Sequence, residues 1–382
     1  MRIAIITFHR AYNYGAVLQC YALYRTLKKL GHECYVLDYW PKYFYNEYYV
    51  HRDFLLTHPP VKTFLNHFRA RNIIKDRNQG FENFLKDYLE LMPISIVGEC
   101  VNVDGVQFDL YITGSDQVWN DRCARFDRNF FLDFPCARLK KRASYAASFG
   151  MKQIPAEKRN EYKRRLSDFA AYSVRENEGK EILSDLLGVN ASVNCDPTLL
   201  LDYSEWNDIT TDTVADSEPY ILVYYVTKTE ELQKKANAYA KEKGCKLVIL
   251  PCNMDIDVLL GKYDKPFTSE LNLTASPTEF LTLFKNASYI FTNSFHGTVF
   301  SLLNHKQFCS RIQLSAKKRN DRVLNLLNQV GLISGDFNED EFITDECVSW
   351  NQVDEKIRSM RKEGWEYLLS ITDQEGINCN ES

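Results

Sequence analysis

Residues 2–7 form a short continuous apolar run, the pattern of a strand buried on both faces. A polar loop follows, and from 15 to 30 the apolar positions Val17, Leu18, Tyr21, Ala22 and Leu27 recur at helical spacing, with Gly31 as a stop just past the end. Residues 35–38 then read as the next strand. This strand-helix-strand opening implies a parallel sheet with a right-handed crossover.

The unit recurs. Strands are expected at 108–113, 142–148, 171–174 and 192–194, with helices at 157–169 and 176–187. The stretch 202–219 is rich in Asp, Thr and Ser and lacks periodicity, which marks a linker. Beyond it the pattern restarts, with strands at 220–226, 246–250, 289–292 and 307–310. Helices are expected at 230–243, 278–286, 295–303, 317–329 and 353–369.

At 382 residues the chain exceeds what one core sustains, so two domains are expected. The division is 1–203 and 218–335, two Rossmann-like α/β domains facing each other across a cleft, followed by a C-terminal helix and tail at 336–382. Hydrophobic residues at 45% and charged residues at 26% suffice for a well-filled core. A net charge of −4 gives no reason to expect a nucleic-acid partner. The eleven scattered cysteines contain no C-x-x-C pair, as expected of reduced thiols in a cytoplasmic protein. The first residues do not read as a signal peptide, no apolar run approaches a membrane span, and no zinc spacing occurs.

In open α/β sheets, ligands bind beyond the carboxyl ends of strands, so chemistry is expected in those loops. Four stand out. Asn13, Tyr14 and Gly15 precede the first helix, where Gly15 permits close approach and free N–H groups suit an anion or sugar hydroxyl; a tight turn capped by Asn13 is the plain alternative. Ser115, Asp116 and Gln117 follow the strand at 108–113, with Asp116 a general base or an N-cap. Arg175, after 171–174, suits a bidentate clamp on carboxylate or phosphate, or an ion pair with Glu176 or Glu178. Asn293, Ser294, His296 and Gly297 open a helix directly after a strand, which makes His296 the sharpest catalytic candidate. Asp196-Pro197-Thr198 reads as a capped turn.

Three further features are less specific. Arg311, Lys317, Lys318, Arg319 and Arg322 form a basic cluster near the cleft. Val61, Phe64, Leu65 and Phe68 lie at helical spacing among Lys62, His67, Arg69, Arg71, Lys75 and Arg77, which suits a solvated amphipathic helix or an anionic membrane surface. Asp255-Ile256-Asp257 is too short a match to carry a metal site, and no metal is expected.

Taken in order and spacing, Asn13-Tyr14-Gly15-Ala16 with Leu18-Gln19, Gly114 to Asn120, Ser173-Val174-Arg175-Glu176, Asp196-Pro197-Thr198 and Ser294-Phe295-His296-Gly297 resemble the polysaccharide pyruvyl transferase family. The resemblance runs from about residue 1 to residue 332. It implies a glycosyltransferase-B type of fold and no cofactor. It also implies transfer of a pyruvyl group from phosphoenolpyruvate to two hydroxyls of a sugar, forming a cyclic ketal. The acceptor would be a bacterial surface polysaccharide, capsular or exopolysaccharide, or its lipid-linked precursor at the inner membrane. Many members carry Arg-x-His-Gly where this chain has Ser294-Phe295-His296-Gly297, so the anion contact is expected from Arg175, Arg311, Arg322 or the helix N-terminus. A nucleotide-sugar glycosyltransferase of the same fold and a non-catalytic binding protein of the pathway are the alternatives. Acceptor identity and oligomeric state are not written in the sequence.

Overall fold

The computed structural model describes residues 1–44, 64–211, 218–252, 269–312, 321–333, 341–344 and 349–373. The apolar runs form the strands of two separate sheets. In the first, β1 (Arg2–Ile6), β2 (Glu33–Leu37), β3 (Leu91–Met92), β6 (Leu110–Thr113) and β7 (Lys141–Ser144) pair all-parallel in the order β3-β2-β1-β6-β7. The parallel pair β8 (Ser173–Val174) and β9 (Ser192–Val193) abuts β7 through isolated bridges, Ala143 to Ala171 and Ala147 to Val174. A small antiparallel hairpin, β4 (Ser95–Val97) and β5 (Cys100–Asn102), turns at Gly98, whose φ of +64° lies in the left-handed region that glycine adopts freely.

The second sheet has the order β12-β11-β10-β13-β14-β15. It is built from β10 (Tyr220–Tyr225), β11 (Lys246–Pro251), β12 (Ser269–Leu271), β13 (Tyr289–Thr292), β14 (Phe308–Ile312) and β15 (Glu341–Thr344). All pairs are parallel except the edge, where β15 runs antiparallel to β14. Both sheets are therefore doubly wound. In the first the strand order reverses between β1 and β6, in the second between β10 and β13, and at such reversals the loops part to leave a crevice.

One apolar core runs through both halves. Tyr14, fully buried, stacks on Phe280 with ring centroids 4.7 Å apart and meets Tyr224 edge-on. Polar ties cross the same seam. The Tyr14 hydroxyl donates to the Ala275 carbonyl at 2.8 Å, and Arg77 donates to the Tyr14 hydroxyl at 2.7 Å and the Cys252 carbonyl at 2.6 Å. Arg77 thus departs from the solvated or membrane-facing position expected for it. It is buried on the long helix Phe64–Tyr88 because its fork satisfies a hydroxyl and a carbonyl at the junction of the halves.

The segment expected as a C-terminal helix and tail does two things. It adds β15 to the second sheet, and its helix Trp350–Thr372 crosses back onto the first half. At its start His305 bonds Asp354 at 2.8 Å and stacks on Trp350. Further along, Arg361 donates to the Leu199 and Leu201 carbonyls, Trp365 to the Leu200 carbonyl and Tyr367 to the Ser144 carbonyl. Among the described residues, no helix is long and apolar enough to cross a membrane.

Candidate active site in the cleft

The loops at the two strand-order reversals meet. On the first half, Thr7 after β1 donates its hydroxyl to the Ser115 carbonyl after β6 at 2.8 Å, and Gln19 donates to Thr7 at 2.9 Å, which fixes the crevice wall. The loop after β1 is further held by Arg10, which grips both oxygens of Asp38 at 2.6 and 2.8 Å. Asn13 caps the helix Tyr14–Lys29 by accepting from the Ala16 N–H, and its amide also contacts Cys252 Sγ at 3.0 Å.

The centre of this wall is Asp196, fully buried at the start of the short turn Pro197–Leu199. One carboxylate oxygen accepts from the Thr198 N–H at 3.0 Å and hydroxyl at 2.7 Å. The other accepts from Ser115 Oγ at 3.0 Å and Arg175 Nη1 at 2.9 Å. Burial alone would raise this carboxyl, but His296 and Arg175 beside it, with the Thr198 N–H, hold it well below the usual carboxylate range. Asp196 is therefore more than the capped turn read from the sequence. It caps the turn with one oxygen and organises the site with the other.

The second half contributes His296, on the first turn of the wholly buried helix Phe295–Leu303. Its Nε2 stands 3.7 Å from Asp196 Oδ2, close enough to pair in charge but outside hydrogen-bonding distance, and has no hydrogen-bond partner although the residue is only 7% exposed. The ring lies against Gly15, where any Cβ would overlap the imidazole. That close approach is what requires glycine here. Ser294 caps the same helix, its hydroxyl accepting from the Gly297 N–H at 3.2 Å.

The two arginines come together over one ring. Arg175 lies 5.1 Å and Arg322 6.0 Å from the Phe295 centroid. Arg175 is buried, with Nε and Nη2 free of any hydrogen-bond partner. Arg322, on the helix Asp321–Gln329, faces Asp116 Oδ1 at 3.7 Å. Asp116 holds φ at +76°, a conformation Asp tolerates, with its carbonyl accepting from the Val118 and Ser148 N–H groups and its carboxylate from the Gln117 N–H at 2.8 Å. The space among Arg175, Glu176, Asp196, Phe295 and Arg322 is about 20 Å³, room for about one water. A larger ligand requires the walls to part. A wider groove of about 750 Å³ lies elsewhere, between the helices Phe64–Tyr88 and Pro277–Asn286, away from these groups.

The structure thus assembles His296, Arg175, Arg322, Asp116, Ser115 and Gly15 around one cleft. It directs other candidates into support. Asn293 spends both ends of its amide on the Val226 N–H and Thr227 carbonyl. Gly297 gives Thr292 and Tyr224 room to pack, Gln117 accepts from Asn120, and Tyr14 is committed to the seam. Arg311 is engaged away from these groups: it pairs with Glu231 and lies over Phe342. Lys317, Lys318, Arg319 and Asp255-Ile256-Asp257 lie outside the described residues. Among the described residues, no His, Cys, Asp or Glu cluster is arranged to hold a metal ion.

Glu176 is the residue whose weight the sequence hid. Its Oε1 accepts from the Ser148 hydroxyl, the Phe149 N–H at 3.1 Å and the Gly150 N–H at 3.3 Å, while the equally buried Oε2 has no hydrogen-bond partner and stands 3.7 Å from Arg175 Nε.

Two facing doubly wound halves, with Arg175, His296 and Arg322 set beside carboxylates where they meet, define a two-sheet α/β protein with charged groups in its cleft. The chain belongs to the polysaccharide pyruvyl transferase family, whose model matches residues 13–310. No curated protein sequence matches. Among solved structures, the fold is similar to MnaA of S. aureus in a co-structure with UDP, at 11% identity and a TM-score of 0.47 over 98% of this chain and 88% of that one. UDP-GlcNAc 2-epimerase of Methanocaldococcus jannaschii gives 13% identity and 0.43 over 97% and 99%. CalG4, the calicheamicin glycosyltransferase, gives 12% and 0.41 over 97% and 98%.

Proposed function

We propose that the chain transfers a pyruvyl group from phosphoenolpyruvate to two hydroxyls of a sugar, forming a cyclic ketal on a bacterial surface polysaccharide or its lipid-linked precursor, at the cytoplasmic side of the inner membrane. The observation that carries this reading is the set of buried groups without hydrogen-bond partners gathered around Asp196: Arg175 Nε and Nη2 and His296 Nε2, with Arg322 alongside. Leaving such donors unmet inside a protein is costly, and a ligand bearing both a carboxylate and a phosphate would meet them.

In this reading Arg175 and Arg322 hold the two anionic groups of the donor, aimed where negative charge must be neutralised. His296 protonates the methylene carbon, the ketal carbon becomes electron-poor, and a sugar hydroxyl attacks it as a carboxylate of the cleft takes the hydroxyl proton. Asp116 and Glu176 are the carboxylates available, each 3.7 Å from one of the arginines. Departure of phosphate and attack by the second hydroxyl close the ring.

Calorimetric titration tests the donor. Phosphoenolpyruvate is expected to bind with micromolar to millimolar affinity and UDP-sugars to give no heat; the reverse result would overturn the reading in favour of a nucleotide-sugar glycosyltransferase.

A further inference from the structure

We propose that Glu176, rather than Asp116, is the base that takes the proton of the attacking sugar hydroxyl; this rests on the pyruvyl-transfer reading. The argument starts from an asymmetry between the two carboxylates that flank Arg175. Asp196 has both oxygens saturated, by Thr198 on one side and by Ser115 and Arg175 on the other. It has no capacity left for a ligand. Glu176 is pinned through Oε1 by three donors, Ser148 Oγ and the N–H groups of Phe149 and Gly150, so its position is fixed. Its side chain is nine-tenths buried, Oε2 has no hydrogen-bond partner, and the residue lines the small cavity with Arg175, Asp196, Phe295 and Arg322.

A bare carboxylate oxygen in a buried position calls for a hydrogen-bond donor. Arg175 does not supply it, because Nε stands 3.7 Å away. Phosphoenolpyruvate does not supply it either: at neutral pH it brings chiefly acceptor oxygens. The sugar hydroxyl is the donor the site lacks. Asp116 is less suited: its side chain is 17% exposed, so water serves the oxygen that the Gln117 N–H leaves.

The step balances as follows. Oε2 of Glu176 takes the proton of the first hydroxyl as its oxygen bonds to the central carbon of the donor, and the electron pair of the carbon–carbon double bond takes a proton from protonated His296 to form the methyl group. The bond from the central carbon to the phosphate oxygen then breaks, and phosphate leaves with the proton from Glu176. The second hydroxyl bonds to that carbon and gives its proton to His296. Both groups return to their starting states.

The test measures phosphate release from phosphoenolpyruvate, with methyl glycosides of glucose, galactose and mannose as acceptors and water as background, beside calorimetric binding of phosphoenolpyruvate. Glu176→Gln keeps an oxygen for the three Oε1 donors, so it is expected to fold with an unchanged melting temperature and bind phosphoenolpyruvate within threefold of wild type. Its turnover should fall by roughly 100-fold or more, the range of a lost general base. Asp116→Asn is expected to lose less than Glu176→Gln, and formate is expected to restore part of the turnover of Glu176→Ala, a response a structural role would not give. Turnover of Glu176→Gln within threefold of wild type, or a larger loss in Asp116→Asn, would overturn the assignment and leave the pyruvyl-transfer reading intact. Failure of the wild-type protein to bind phosphoenolpyruvate would overturn both.

Discussion

The two walls of the cleft are built on different principles. On the first half, Ser115, Arg175, Glu176 and Asp196 are joined by short hydrogen bonds to each other and to the backbone, so their geometry is set within that half. On the second half, His296 and Arg322 each stand 3.7 Å from the carboxylate they face, and packing positions them, against Gly15 and Phe295. One wall is wired and the other is docked. Breaking a hydrogen bond of the first wall should therefore cost stability as well as turnover, and damage to the second should fall mainly on turnover.

The largest effect is expected from His296→Asn. Turnover in the phosphate-release assay should drop on the order of 10²–10⁴-fold, while stability falls by less than on removal of the Asp196 charge, because one 3.7 Å pairing and no hydrogen bond from Nε2 is lost. A large drop in melting temperature would show that the second wall is wired after all.

Asp196→Asn probes the opposite wall. It leaves Arg175 buried beside a neutral group, and removing one partner of such a pair costs about 3–5 kcal/mol, readable by urea denaturation. The pH dependence follows from the same group. The Asp196 carboxyl is depressed in the folded protein, so its stabilisation is fully present above the ordinary carboxylate range, near about pH 4, and is lost as pH falls below it. Wild type should lose stability steeply on acidification, and the variant should show a flatter curve from a lower starting point. Parallel curves would mean Asp196 contributes nothing through its charge.

Gly15→Ala tests the contact between the walls. A methyl group there overlaps the His296 ring, an overpacking that costs about 1–3 kcal/mol, more than the gain of at most about 1 kcal/mol from replacing glycine in a helix. The expected result is a roughly tenfold fall in turnover with a small loss of stability. Full activity would show that His296 moves freely away from Gly15.

The periodic features of this fold were readable because each depends on local pattern. The alternation of apolar runs and amphipathic helices located the inner strands of both sheets but not the edges at 269–271 and 341–344, and the rule about strand ends led to Asn13, Asp116, Arg175 and His296. Where legibility failed, the cause was long-range. Arg77 reads as one of several surface cations, yet its burial depends on Cys252, a residue brought near only when the halves pack. Asp196 looks like a cap because one of its oxygens is one; nothing local reveals that the other meets Ser115 and Arg175. Glu176 resembles an ion-pair partner until the Ser148 to Gly150 loop is seen occupying one oxygen and leaving the second bare. The strands at 91–102 escape because two- and three-residue segments are too short to carry a period.

The returning helix Trp350–Thr372 has a consequence for rearranging this protein. Its hydrogen bonds to Ser144, Leu199, Leu200 and Leu201 make it a piece of the first half that happens to be synthesised last. In topological terms the second half is an insert, entered after residue 211 and left before residue 349. A chimera that exchanges second halves between relatives must therefore be spliced at two junctions, because a single fusion point would strip Tyr145 and Leu200 of the surface that covers them.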